Sequence, residues 1–208
     1  MKTKVILIGG FSEIIELCEL CNYDIIGIID NNLKKSYMDY EIIGDDKSAE
    51  KIYKSHKNIK LIVTPDLPKT RKIIVQYYSK IGFKFCSLIS PQAVISKSSK
   101  IGNGVIIQTN VNVSSNTAIG DFVKLNTYSN IMHDCKIGNY TTIAPNAVLL
   151  GRVKVNDNCY IGANATVLPG KELGKNSIIG AGAVVTKDIG KGIVAAGNPA
   201  KQLKKITK

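Results

Sequence analysis

At 208 residues the chain is long enough to bury a core without disulfides or metal, and 28 Lys+Arg against 16 Asp+Glu give it a formal charge of +12. No stretch approaches the roughly 18 uninterrupted apolar residues of a membrane span, and Val5–Ile8 is too short for a secretory core, so a cytoplasmic protein without a membrane span is expected. Five scattered cysteines, an odd number, are expected as reduced thiols, and no metal is called for.

The first elements in chain order are a strand at Lys4–Ile8, a glycine turn Gly9-Gly10-Phe11-Ser12, a helix over Glu13–Cys21 and a strand at Ile25–Ile29 that ends on Asp30. Strand, glycine turn, helix, strand and acid form a small βαβ unit of the Rossmann kind. Cys18 and Cys21 lie on the helix's apolar side, where packing explains them. The turn lacks G-x-G-x-x-G, since the glycines are adjacent and Ile14 stands where a close-packing glycine belongs. Further strands and helices are expected at Lys60–Val63, Lys69–Ile81 and Lys84–Ile89, and His56, set among lysines, reads as a surface residue.

From residue 95 onward every sixth residue is aliphatic: Ile95, Ile101, Ile107, Val113, Ile119, Leu125, Ile131, Ile137, Ile143, Leu149, Val155, Ile161, Val167, Leu173, Ile179 and Val185. Neither the helical period of 3.6 nor the strand period of two produces a strict six. Most residues two places earlier are small, such as Ala93, Thr117, Cys135 and Ala165, with Lys171 the exception. This pattern predicts a parallel β-helix in which both sets point inward and three six-residue sides close one coil. Sorting by eighteens separates three edges: Gly102, Gly120, Gly138, Asn156, Gly174; then Gln108, Asn126, Ala144, Gly162, Gly180; then the glycine-free Ser114, Met132, Leu150, Leu168, Thr186. Coils stack about 4.8 Å apart, giving a prism about 25 Å tall.

The six-residue pattern resembles the left-handed β-helix of the hexapeptide-repeat acyltransferases, and the handedness comes from that resemblance. Gly197-Asn198-Pro199-Ala200-Lys201 is similar to the family's closing segment, and Asn126 through His133-Asp134-Cys135-Lys136-Ile137-Gly138 is similar to its N-x-x-x-x-x-x-H-[DE]-C-x-I-G stretch. The whole chain resembles the bacterial sugar acetyltransferases of the bacillosamine and perosamine type, grouped with sialic acid O-acetyltransferases. The organisation implied is an α/β Rossmann-like domain at 1–88 that binds a sugar nucleotide, an all-β left-handed parallel β-helix at 89–190, and a closing segment at 191–208. The activity implied is N-acetylation of a nucleotide-linked amino sugar such as a UDP-4-amino-4,6-dideoxyhexose by acetyl-coenzyme A, in a homotrimer with active sites between prisms. O-acetylation of a sialic acid or another sugar hydroxyl is the same-fold alternative, and a non-catalytic sugar-binding scaffold the different-class one. Where the family's turn reads G-x-x-G-H-G, this chain has Gly9-Gly10-Phe11-Ser12-Glu13-Ile14.

Of the two histidines, His133 should project outward at a corner of the glycine-free edge, with Gly151 one coil above it. Acetyl transfer needs a base to take the proton of the attacking nitrogen and a donor for the developing oxyanion. His133 is the expected base, Asp134 its orienting acid and the Gly151 N–H the expected donor. The resemblance adds Asn126 as a polar substrate contact beside His133, with Gly9, Gly10, Phe11, Ser12, Asp30 and Asn31 for the nucleotide. It places Thr142 where some relatives carry a second histidine near the acetyl group. Ala163, Gly180, Ala181 and Lys201 are expected along the coenzyme. Residues 89–208 carry 14 basic against 5 acidic residues, which suits the coenzyme's phosphates; scarce aromatics and the lack of any nucleic-acid-binding signature set nucleic acid aside.

Overall fold

The computed structural model describes residues 2–33 and 35–206. The chain opens with β1 (Thr3–Ile8), α1 (Ser12–Leu20), β2 (Tyr23–Ile29), β3 (Ser36–Tyr37), β4 (Tyr40–Gly44), α2 (Ala49–Ser55), β5 (Lys60–Val63) and α3 (Pro68–Ile81). The five strands form one sheet in the order β3-β4-β2-β1-β5, parallel except for the short β3–β4 pair. Val5 through Ile8 are all buried, the continuous apolar run of a strand covered on both faces. The helix α1 turns Ile14, Ile15, Leu17 and Cys18 inward. The helix α3 starts on Pro68, whose missing N–H costs nothing in a first turn, and stops at Gly82, held at φ +112°.

The rest of the chain winds through three flat faces, each strand pairing in parallel with the strand eighteen residues on. Face A holds Leu88–Ile89, Ile106–Ile107, Lys124–Leu125, Thr142–Ile143, Tyr160–Ile161 and Ile178–Ile179; face B runs from Val94–Ile95 to Val184–Val185, and face C from Lys100–Ile101 to Glu172–Leu173. The aliphatic column fills the interior, with only Ile95 and Ile101, in the first coil, partly open. Residues 193–205 do more than cap the column: Ile193–Ala196 extends face A in parallel, and Lys201–Lys205 returns antiparallel as its outermost strand.

The corners need left-handed backbone, and asparagine supplies it at Asn110, Asn146, Asn158, Asn164 and Asn176. Along the ridge between faces C and A the corners are also laced together. The carboxylate or amide oxygens of Asp121, Asn139 and Asp157 accept the N–H of Asn103, Asp121 and Asn139, each one coil below. Alternating acid and amide keeps like charges two coils apart.

The α/β region packs on face A and the adjoining C/A ridge. Leu88 and Ile106 join the cluster of Val5, Leu7, Ile14 and Ile25. On the ridge, Phe122 and Tyr140 stack at 5.4 Å, and Phe85 meets Phe122 edge-on at 5.2 Å. Both ridge aromatics sit at positive φ, a conformation costing roughly 1–2 kcal/mol for an ordinary residue and offset here by the apolar joint they build.

Candidate active site

His133 stands on the ridge between faces B and C, half exposed, and its Nδ1 lies 2.8 Å from Asp134 Oδ2. Neighbouring side chains in an extended strand point apart; they meet here because Asp134 sits at φ +60° and turns back on itself. The hydrogen bond from the imidazole, helped by Asn116, holds the Asp134 carboxyl below the usual carboxylate range. An ionised Asp134 accepts the Nδ1 proton and so leaves the lone pair on Nε2.

That nitrogen lies directly over Gly151. A methyl group built on Gly151 would sit 2.5 Å from His133 Nε2 and 2.6 Å from Cε1, so only glycine admits the ring in this position. The two backbones are tied together, since Arg152 N–H donates to His133 O at 2.9 Å. The Gly151 N–H itself has no acceptor among the described residues. At some equivalent corner positions on the other ridges a side chain caps this group, Asp121 for Asn103, Asn139 for Asp121 and Gln108 for Thr127; what sets Gly151 apart is the imidazole packed on its Cα. An uncapped donor beside an oriented imidazole can stabilise an oxyanion next to a base.

The other expected residues are divided over the molecule. Asn126, Ala163, Gly180 and Ala181 follow strands of face A and lie on the A/B ridge, one face away from His133. Within one chain Asn126 is therefore not a neighbour of His133, because seven residues along the chain is a full side of the prism. Thr142 is corrected. It is fully buried on face A, its hydroxyl accepting from Arg71 Nη2 and donating to Asp66 O, so it has no surface left for a coenzyme. Lys201 is exposed at the start of the outermost strand.

At the glycine turn, Gly9 is at φ +93°, and a methyl there would meet Thr64 Oγ1 at 2.6 Å. Asp30 accepts the N–H groups of Gly10, Asn32 and Leu33; these hold its carboxyl below the usual range against the opposing effect of burial. Asp30 thus shapes the turn with its own backbone as partner. Asn31 is clasped at both ends of its amide by Asp46. Phe11 packs beneath Lys124 Nζ at 4.9 Å, and Ser12 opens α1. Two buried cations that the sequence reading passes over, Arg71 and Lys124, lie in the joint behind this turn.

The repeat and the fold together give the prism the pattern of hexapeptide-repeat transferase domains. Residues 116–151 match the bacterial transferase hexapeptide (six repeats), and residues 152–187 match the hexapeptide repeat of succinyl-transferase; the prism is the left-handed β-helix of these proteins. Among solved structures, the chain is similar to PerB from Caulobacter crescentus in complex with CoA and GDP-perosamine, at 29% identity and a TM-score of 0.91 over 97% of both chains. It is similar to the acetyltransferase domain of PglB from Neisseria gonorrhoeae, at 29% identity and a TM-score of 0.90 over 97% of this chain and 100% of that one. WeeI from Acinetobacter baumannii follows at 28%, with a TM-score of 0.85 over 97% and 100%. The perosamine enzyme is also known in complexes in which one histidine is replaced by asparagine or alanine. A comparison with curated proteins gives no match.

Proposed function

We propose that the protein transfers the acetyl group of acetyl-coenzyme A to the amine of a nucleotide-linked amino sugar. The observation that carries this reading is the imidazole of His133, locked by Asp134 and packed against Gly151, whose N–H has no acceptor among the described residues. The likeness to an N-acetyltransferase holding CoA and GDP-perosamine over nearly the whole chain supports the substrate class. The sugar nitrogen attacks the thioester carbonyl while Nε2 takes its proton, the oxyanion forms against the Gly151 N–H, and collapse breaks the C–S bond. The imidazolium then returns its proton to the departing thiolate.

The α/β region reads as Rossmann-like, with the nucleotide held at Gly9–Ser12. That turn lies against face A, whereas His133 lies on the ridge opposite face A. One chain therefore does not bring nucleotide and base together, and a trimer places the turn of one copy against the B/C ridge of the next. Ala163, Gly180 and Ala181 on the A/B ridge, with Lys201 near the top, form the lane for the coenzyme between copies.

The deciding assay offers the protein acetyl-coenzyme A with UDP-, GDP- and dTDP-linked amino sugars and with sialic acid, and follows thiol release. Turnover with an amino sugar supports the reading; turnover with sialic acid alone replaces it with O-acetylation. Inactive His133→Ala copies mixed and reassembled with copies damaged at Gly9 should regain part of the wild-type rate, because some sites then combine two intact halves. No recovery in a mixed trimer places the whole site in one chain. Asp134→Asn should lower kcat about 10- to 100-fold with KM values unchanged, since an amide can hold the imidazole in the wrong tautomer; steady-state kinetics check this.

A further inference from the structure

Two cations are sealed into the joint between the α/β region and the prism. Lys124, 1% exposed, stands on face A between Ile106 and Thr142, in a line of outward side chains where an aliphatic residue would also pack. Removing an ammonium from water costs several kcal/mol unless its partners are in place. Lys124 Nζ has three: Asp66 Oδ1 at 2.7 Å, Thr64 O at 3.1 Å and the face of Phe11. Among the described residues Asp66 Oδ1 has no partner besides this ammonium. Burial lowers the pKa of Lys124 while Asp66 opposes the shift.

Arg71, equally buried, spans the same joint. Its guanidinium donates to Pro65 O and Asp66 O on the loop after β5, and to Phe122 O, Tyr140 O and Thr141 O at the prism corners, at 2.7 to 3.1 Å. The loop is in turn fastened to the glycine turn, with Thr64 Oγ1 2.8 Å from Ile8 O and 3.0 Å from Gly9 O. A continuous run of contacts thus leads from prism corners through Arg71, Asp66, Lys124 and Thr64 to Gly9. It ends at a definite level of the prism, because Lys124–Leu125, Asn130–Ile131 and Lys136–Ile137 are the three sides of one coil and His133 lies on that coil. Rotation about a threefold axis parallel to the prism preserves height. In the trimer proposed above, the turn of one copy and the His133 of its neighbour would therefore stand at one level.

We propose that Lys124 and Arg71 are positioning residues for the amino-sugar nucleotide, fixing the glycine turn at the height of the coil that carries His133. This rests on the reading of the turn as the nucleotide site and His133 as the base. The charge at position 124 serves placement, where an apolar residue would bind the two regions together without fixing their register.

The test compares wild type, Lys124→Met and Asp66→Asn by kinetics and by hydrogen–deuterium exchange. Loss of the tether should raise the KM for the nucleotide amino sugar by about tenfold, equivalent to about 1.4 kcal/mol of binding, while the KM for acetyl-coenzyme A stays within about twofold. Exchange should quicken at residues 9–13 and 64–66 and stay unchanged at 130–155. A folded variant with both KM values shifted equally, or with neither shifted, overturns the proposal. If Lys124→Met does not fold, Asp66→Asn removes the partner charge and reads the same contacts. If wild type acetylates no nucleotide amino sugar, the proposed function fails, and exchange still decides the tether: unchanged rates at 9–13 and 64–66 overturn it.

Discussion

Replacing His133 by alanine is expected to lower kcat by about 10²–10⁴, with the melting temperature close to that of wild type. The two halves of this expectation rest on different observations. The imidazole is half exposed and its one side-chain partner, Asp134, is equally exposed, so its loss opens no cavity and leaves no buried group unpaired. The catalytic half rests on Nε2, the atom left free once Nδ1 is committed to Asp134. The uncapped Gly151 N–H survives the change, so residual transfer above the uncatalysed rate is expected, carried by oxyanion stabilisation and by the orientation of the two substrates. Stopped-time thiol assays beside thermal melts check both halves. Turnover near the wild-type rate at neutral pH would remove His133 from the base's role.

The prism was legible because its signal is a spacing. Sixteen aliphatics at a period of six leave no other regular structure, and sorting by eighteens brings 133 and 151 together, which is the register that places the imidazole over Gly151. Ridges were harder to read. Asn126 and His133 look adjacent in sequence, yet a side of the prism lies between them, because a coil turns the chain through a corner every six residues. Which face is covered was also written in the sequence, although faintly. The outward residues of face C are Lys100, Ala118, Lys136, Lys154 and Glu172, as a solvated face requires, whereas face A presents Leu88, Ile106, Thr142, Tyr160 and Ile178. Apolar residues at outward positions mark a face that something covers. Within that row Lys124 reads as one more solvated lysine, and nothing local reveals Asp66 or Arg71, which arrive from 58 and 53 residues away. Thr142 is hard to place for the same reason, since its partner Arg71 belongs to a helix outside the repeat. Residues 31–59 carry short strands and a seven-residue helix whose partly exposed, non-alternating residues give periodicity little to act on.

Gly151→Ala adds one methyl group and should cost nearly as much activity as losing the histidine. Gly151 is not in the left-handed region that only glycine adopts freely, and replacing glycine by alanine where the backbone permits it stabilises a protein by about 0.4–1 kcal/mol through the unfolded chain. The melting temperature is therefore expected to hold. The added methyl would nevertheless fall 2.5 Å from Nε2, well inside van der Waals contact. The rigid coils cannot separate, so the half-exposed imidazole must swing away and break its bond to Asp134. About 10²-fold or more should be lost from kcat, in line with a missing general base, even though the N–H of residue 151 is retained. The double variant decides whether the loss has this cause. If alanine acts by displacing the ring, adding His133→Ala to Gly151→Ala should lower kcat little further, because the same interaction cannot be removed twice. Multiplicative losses in the double variant would show that residue 151 contributes independently of the imidazole, through the acetyl oxygen alone.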